Sequence, residues 1–438
     1  MSGDNNRFEA IFGSSGGSGG GGGGLSSVNI QNTLYVAKNG NDTTGTRNDL
    51  AKPYLTIAGA TADASLGDCI YVFRGSYTET SADTFGSGFF YYLEPNVTVV
   101  NDTTALIQDS STAKTITIFG YGDITCLLQP CISLTNPSSN LRLQCNNISS
   151  GNQVMVFSGN KLELDCQDIS CNLSGLTYTG SSDDSYINFN NCVMSSTSTL
   201  TWRISHASGT LRIRGKYYEQ DFARVGGDPF TTVMTSDARL TIKIDEFNVK
   251  SGGFSGNFDT TGNGVAVYNM LKKGGSAFDF GTDAGVQVDF YNCQMTTTSD
   301  ILQLNIFNGI VNCFNCYFLI ISSRFVDMQG AGTLQLVDCI INQENDNSII
   351  QMTQTGGVGT EITPKLILQN VLLYNEAGGL GFSIDGTIVG TDKIPINVQG
   401  NVTATNPIDT TEIDNVITGN PIVNDIDIKV TNTYLTNF

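Results

Sequence analysis

The chain has 438 residues, enough for a large core, yet only 14% are charged; Ser, Thr, Asn and Gly fill the difference, a turn-rich and β-rich composition. Its net charge of −19 disfavours nucleic acid and phosphate as direct ligands; it serves solubility, with Ca²⁺ binding the minor alternative. No run of 18 apolar residues is present, so no membrane span is expected.

Residues 1–24 form an arm. Its first thirteen residues carry Phe8, Ile11 and Phe12, and SSGGSGGGGGG at 14–24 is a flexible tether by composition. A tether ending in a small apolar hook reads as an attachment device, which makes these three residues candidate anchors; the plainer reading is a tail with no partner. The start, MSGDNNRFEA, lacks the basic and apolar regions of a signal peptide, so synthesis in a reducing cytosol is expected.

Residues 25–80 read as a cap and first turn. LYVAKNGND at 34–42 is a strand and turn. The segment 52–79 predicts a short helix with an apolar stripe of Ile57, Ala60 and Ala64, ended by Gly67, then the strand IYVF at 70–73. In the aromatic run Phe89, Phe90, Tyr91, Tyr92, alternation divides the rings between core and surface.

Residues 81–400 carry a repeated phrase: an alternating strand, Asn or Asp, Cys, then a large apolar residue. It reads INFNNCVM at 187–194, VDFYNCQM at 288–295, CFNCYF at 313–318 and LQLVDCII at 334–341, with a Cys-less LILQNVLL at 366–373. Looser copies are LRLQC at 141–145 and LELDC at 162–166. Cys293, Cys316 and Cys339 are 23 residues apart. A fixed period in this range marks a repeat architecture. Second strands follow at VMVF 154–157, LTWR 200–203, ILQL 301–304, FVDM 325–328, IIQM 349–352 and FSID 382–385. The period is too short for a strand-plus-helix unit and half that of a β-propeller blade. It predicts an all-β parallel β-helix of about twelve turns, roughly 55–60 Å long at one strand spacing per turn.

Like residues then stack on like. Asn191, Asn292, Asn315, Asp338 and Asn370 are expected at one corner, where an Asx side chain tolerates a left-handed turn; Cys192, Cys293, Cys316 and Cys339 are expected to point inward as small hydrophobes. The eleven Cys are read as structural thiols, since no zinc spacing occurs beyond a lone CFNC at Cys313 and Cys316, and no metal or cofactor is implied. The register is least clear over 240–285, which leaves room for a large loop. Residues 401–438 lose the repeat at Pro407, Pro421 and DTTEIDN, and read as a C-terminal cap or extension.

The entry segment resembles that of the pectate-lyase-like right-handed β-helix superfamily, through Lys52, Pro53, Tyr54, Thr56, Ile57, Gly67, Asp68, Ile70, Val72, Gly75 and Tyr77. With the later Asn-Cys phrases the resemblance covers roughly 34–400. It implies a right-handed coil with a helix covering its open end. It does not imply an activity, because the superfamily spans lyases, hydrolases, viral spikes and inert rods. His206 is not flanked by glycines as in polygalacturonases and reads as a turn or surface residue. Arg212, Arg214 and Lys216 resemble the superfamily's basic element, and Asp183 and Asp184 an Asp pair that Glu219 and Asp245 or Glu246 could join on one face, but no complete catalytic set is assembled. Trp202 reads as a bulky core or outer residue, with sugar stacking as its functional reading.

The resulting expectation is a non-enzymatic structural protein of a virus particle: a spike, fibre or minor capsid component. It would be made in the host cytoplasm, with the arm contacting other virion proteins. A host glycan is a second candidate partner, and a homotrimer is compatible with side-by-side rods. The alternatives are a polysaccharide lyase or glycoside hydrolase, and a non-catalytic carbohydrate-binding rod, whose mark would be exposed aromatics on one face.

Overall fold

The computed structural model describes residues 30–81, 84–109, 112–171, 174–180, 184–194, 202–220, 230–234, 238–249, 254–258, 264–273, 278–280, 287–297, 302–304, 309–322, 324–329, 331–347, 349–353, 365–377, 382–385, 396–399 and 403–404. The arm with Phe8, Ile11 and Phe12, the residue Asp183, and all of 401–438 except Thr403–Ala404 lie outside them.

Every paired strand lies parallel to its neighbour one turn away, giving a β-solenoid with two sheets, of 24 and 12 strands. The larger sheet holds two ladders meeting at a corner. One runs from Thr33–Val36 through Cys69–Val72 and Phe90–Leu93 to Ile396–Gln399; the other runs from Gly75–Thr78 to Thr403–Ala404. The smaller sheet runs from Ile107–Gln108 to Phe382–Asp385 and closes the coil. Alternation explains the core: in Asn140–Ser150, Leu141, Leu143, Cys145 and Ile148 are buried. Each turn covers the apolar row of the next, so burial is continuous along the axis. The ladders also continue through 240–285, with Arg239–Val249, Gly264–Tyr268 and Leu271–Lys273 in register with their neighbours.

The cap is built as its residues dictate. Thr56 accepts the Gly59 amide at 2.9 Å as N-cap of the helix Ile57–Asp63, and the buried Glu79 carboxylate accepts the Ile57 and Ala58 amides at 2.8 and 3.3 Å. Ile57 and Ala60 face the core. The helix stops at Asp63, and Gly67, at φ +85°, makes the turn into Cys69–Val72. Tyr54 exchanges backbone hydrogen bonds with Tyr35 and Ala37, which occupies the outer edge of the first strand.

The corner of the larger sheet is made in two ways. From Asn140 to Val249 it is a bend inside one continuous strand of ten or eleven residues per turn. From residue 264 onward the strand breaks at a left-handed residue: Asn269, Asn292, Asn315, Asp338 and Asn370 have φ of 51–53°. There three side-chain amides donate to the side-chain oxygen of the turn before: Asn292 to Asn269 Oδ1 at 3.1 Å, Asn315 to Asn292 Oδ1 at 2.9 Å, and Asn370 to the Asp338 carboxylate at 2.9 Å. Asn269 joins this ladder without a Cys beside it. Cys293, Cys316 and Cys339 follow the left-handed residue, are buried, and donate back to the carbonyls of Tyr291, Phe314 and Val337 at 3.4, 3.3 and 3.2 Å. The thiol thus fills the inside of the corner and adds a second donor to a carbonyl that already accepts a backbone amide of the turn before.

Asn191 and Cys192 do not belong to these ladders. Asn191 lies inside the continuous strand Ser185–Met194, where it donates to Asp168 at 2.6 Å. Strand pairing places Ile187, through Ile213, Ile242 and Val267, opposite Phe290. Cys192 therefore stacks, through Tyr218, Phe247 and Lys272, with Met295, two positions past Cys293. The inward corner position of these turns is instead held by Cys145, Cys166, Phe189, Gly215 and Ile244. Gly215 is required there: a Cβ would come within 2.2 Å of the Phe189 ring.

Candidate functional site

The outward residue just before the corner forms one row along the larger sheet. By register it begins Tyr35, Tyr71, Tyr92, Phe119 and continues, after Gln144, with Asp165, Asn188, Arg214 and Lys243. Tyr268, Tyr291, Phe314, Val337 and Gln369 complete it in the following turns. Ring contacts follow the row. Tyr71 and Tyr92 lie 5.1 Å apart, and Arg142 stands over Phe119 at 5.2 Å. Tyr268, Tyr291 and Phe314 stack at 4.9 and 5.1 Å with their planes within 10° of parallel. Tyr268 keeps 37% of its surface exposed. The aromatic run at 89–92 is divided as expected: Tyr91 is buried and Tyr92 joins the outer row.

The cations of the row are concentrated. Eight of the chain's 22 Lys and Arg fall within residues 203–250. Arg214 and Lys243 are exposed and adjacent in register, about 4.8 Å apart in backbone spacing. Arg212 pairs with Asp184 at 2.8 Å, whereas Arg214, Lys216, Arg239 and Lys243 form no ion pair among the described residues. Like charges stacked on neighbouring strands repel. Beside the row runs the exposed amide ladder of Asn269, Asn292 and Asn315.

The carboxylates do not converge. Asp184 is an exposed left-handed turn residue before Ser185, while Glu219 stands opposite Val193 near the far end of the paired strand. Nine residues separate Asp184 from Val193, about 30 Å of strand contour with the corner between them. Glu246 is held by Lys273 at 3.0 Å, and that hydrogen bond, with Asn248 adding, keeps its carboxyl below the usual range. Among the described residues no cluster of His, Cys, Asp or Glu is placed to hold a metal ion. His206 is not a turn or surface residue. It is fully buried in Trp202–His206, its ring 5.8 Å from that of Tyr178. Trp202 is a core residue, edge-on to Phe189 and Tyr218. Lys272 is also interior, and burial lowers its ammonium from 10.5 to about 7.

The row's aromatics stand in the sequence as the residue before each Asn, in VYNM, FYNC and CFNC. Their stacking follows only from the 23-residue step between them. The cations Arg214 and Lys243 fall into the same row only through strand register.

No family model, no curated protein and no solved structure matches this chain. The class that the geometry defines is a parallel β-solenoid. Among the described residues no helix is long and apolar enough to cross a membrane.

Proposed function

We propose that this chain is a non-enzymatic structural protein of a virus particle, a spike, fibre or minor capsid component of the pectate-lyase-like β-helix type, whose rod is held to the particle by residues 1–24. The observation that carries this reading is the unbroken wall. Both ladders of the larger sheet run from the N-terminal cap to the last described turns, each turn pairing with the next among the described residues. Such an object is a stiff spacer, and the Gly-rich tether with its apolar hook leads into the capped end. The eleven cysteines are all buried as free thiols, which suits assembly in a reducing host cytoplasm before release in a virion. Other virion proteins are the partners of the arm in this reading, and a homotrimer of rods fits it.

Deletion of residues 1–24 tests the proposal, read by mass spectrometry of purified particles. The expected result is fixed stoichiometry for the full chain and loss of the truncated, still folded rod. Retention of the truncated rod overturns the anchor. Absence of the full chain from particles, with cleavage of an acidic polysaccharide by the free protein, overturns the structural reading in favour of a depolymerase.

A further inference from the structure

We propose that the outer row around Arg214, Lys243, Tyr268 and Tyr291 is a binding track for an acidic glycan, a linear polysaccharide bearing carboxylate or sulfate groups. The proposal is independent of where residues 1–24 attach.

Three observations meet in this place. First, the chain carries −19 overall, yet sets Arg214 directly beside Lys243 on neighbouring turns, exposed and without an acidic partner among the described residues. A strand surface gains nothing from stacked like charges, and an anion lying across the two turns relieves the repulsion. Three acids of the surrounding turns are committed elsewhere, Asp184 to Arg212, Glu246 to Lys273, and Asp289 to Gln287 and Asn312; Asp245 lies past the corner beside Lys216, and Asp165 stands two turns from Arg214. Second, the row passes from cations to stacked rings without a break. Tyr268 begins the stack, so its second face is turned toward the Lys243 turn, and the ring edges line the surface beyond. Third, the amides of Asn269 and Asn292 run alongside, with hydrogen-bonding capacity beyond the one ladder bond of Asn269 and the two of Asn292.

Cations followed by ring surfaces in one row, with amides in the row beside it, match a polymer that carries both anionic groups and hydroxyl-rich, partly apolar sugar rings. The row repeats every turn, about 4.8 Å, a step comparable to one pyranose unit. A nucleic acid strand presents charge at every step and would meet the overall negative field along the rest of the rod. The aromatic mark of a carbohydrate-binding rod is thus present, at the turns that directly follow the unpaired cations.

The test uses the purified full chain and four immobilised probes at about 150 mM salt, where charges beyond roughly 8 Å are screened: polygalacturonate, heparin, neutral dextran and a single-stranded oligonucleotide. Binding of polygalacturonate, heparin or both, with neither dextran nor oligonucleotide retained, is the expected result; which acidic probe binds names the anion. R214Q/K243Q should lose at least tenfold in affinity and Tyr268→Ala several-fold. The equal charge change K52Q/R74Q, at exposed residues of the first turns, six turns along the register from Arg214, should lose none. All variants are first matched to the parent in thermal unfolding, and Arg214→Lys should restore binding if the double variant is perturbed. The proposal is overturned by failure to bind either acidic glycan, by equal loss in the remote pair, by oligonucleotide binding of similar strength, or by unchanged affinity in Tyr268→Ala.

Discussion

The amide ladder contains a built-in defect, and repairing it tests the account of the corner. Between Asn269 and Asn370, Asn292, Asn315 and Asn370 each donate a side-chain N–H to the side-chain oxygen of the turn before. Asp338 has no N–H to give, so among the described residues the step from Asp338 to Asn315 is not made, although both keep the same backbone conformation, φ 52° and 53°. Asp338→Asn supplies the missing donor to Asn315 and keeps an oxygen for Asn370. One added neutral, exposed hydrogen bond contributes about 0.5–1 kcal/mol, and the bond from Asn370 gives back a few tenths by losing its charged acceptor. The expected net gain is about 0.5 kcal/mol. Asp338→Ala does the opposite. It removes the 2.9 Å bond from Asn370 and places a Cβ-bearing residue without a local acceptor in the left-handed region, together about 2 kcal/mol. Because the stability of a solenoid is a sum of local and nearest-neighbour contributions, the readout is hydrogen exchange of the Asn315 and Asp338 amides, whose partners are Val337 O and Gln369 O, alongside thermal unfolding. Asp338→Asn should slow that exchange two- to threefold. In an Asn315→Ala background the gain should vanish, which isolates the pair. A loss of stability in Asp338→Asn, or a gain that survives Asn315→Ala, would show that the ladder does not stabilise the corner.

Two further outcomes follow from buried groups. All eleven thiols are buried, and shared hydrogen bonding with Cys293, with burial adding, pushes Cys316 up to about 12, so a thiol reagent should label none of them quickly in the native chain and all eleven in denaturant; fast native labelling of any one would contradict the stacked core. Lys272, lowered from 10.5 to about 7 by burial, binds its proton more weakly in the folded chain, so stability should rise with pH between about 7 and 10.5; Lys272→Met should be more stable than the parent at pH 7 and below and should flatten that slope, and urea midpoints at pH 6 and 9 that move together in both proteins would refute it.

How far the fold could be read from the residues depended on which signal was used. Period-two alternation located the strands, and the predicted FSID coincides with the observed Phe382–Asp385. The phrase Asn-Cys was less trustworthy. Written as text, INFNNCVM and VDFYNCQM align Asn191 with Asn292; strand pairing sets Ile187, not Phe189, opposite Phe290, two residues away. A slip of one residue would exchange inside for outside, but a slip of two keeps the same face buried, so alternation alone does not choose between the two alignments. The bent corner at Phe189 keeps one more inward residue in the continuous strand before turning, while the left-handed corner at Asn292 spends that position on an outward amide. The same short phrase therefore occupies different places in the two halves. His206 and Lys272 were misplaced or passed over for a related reason: polarity alone argues for the surface, whereas their strands' alternation puts both inside. The outer row was hidden most deeply, since Arg214, Lys243 and Tyr268 are 29 and 25 residues apart and share no motif. Only the turn-by-turn pairing makes them neighbours, and a surface whose chemistry is assembled across turns is legible once the register of every turn between them is known.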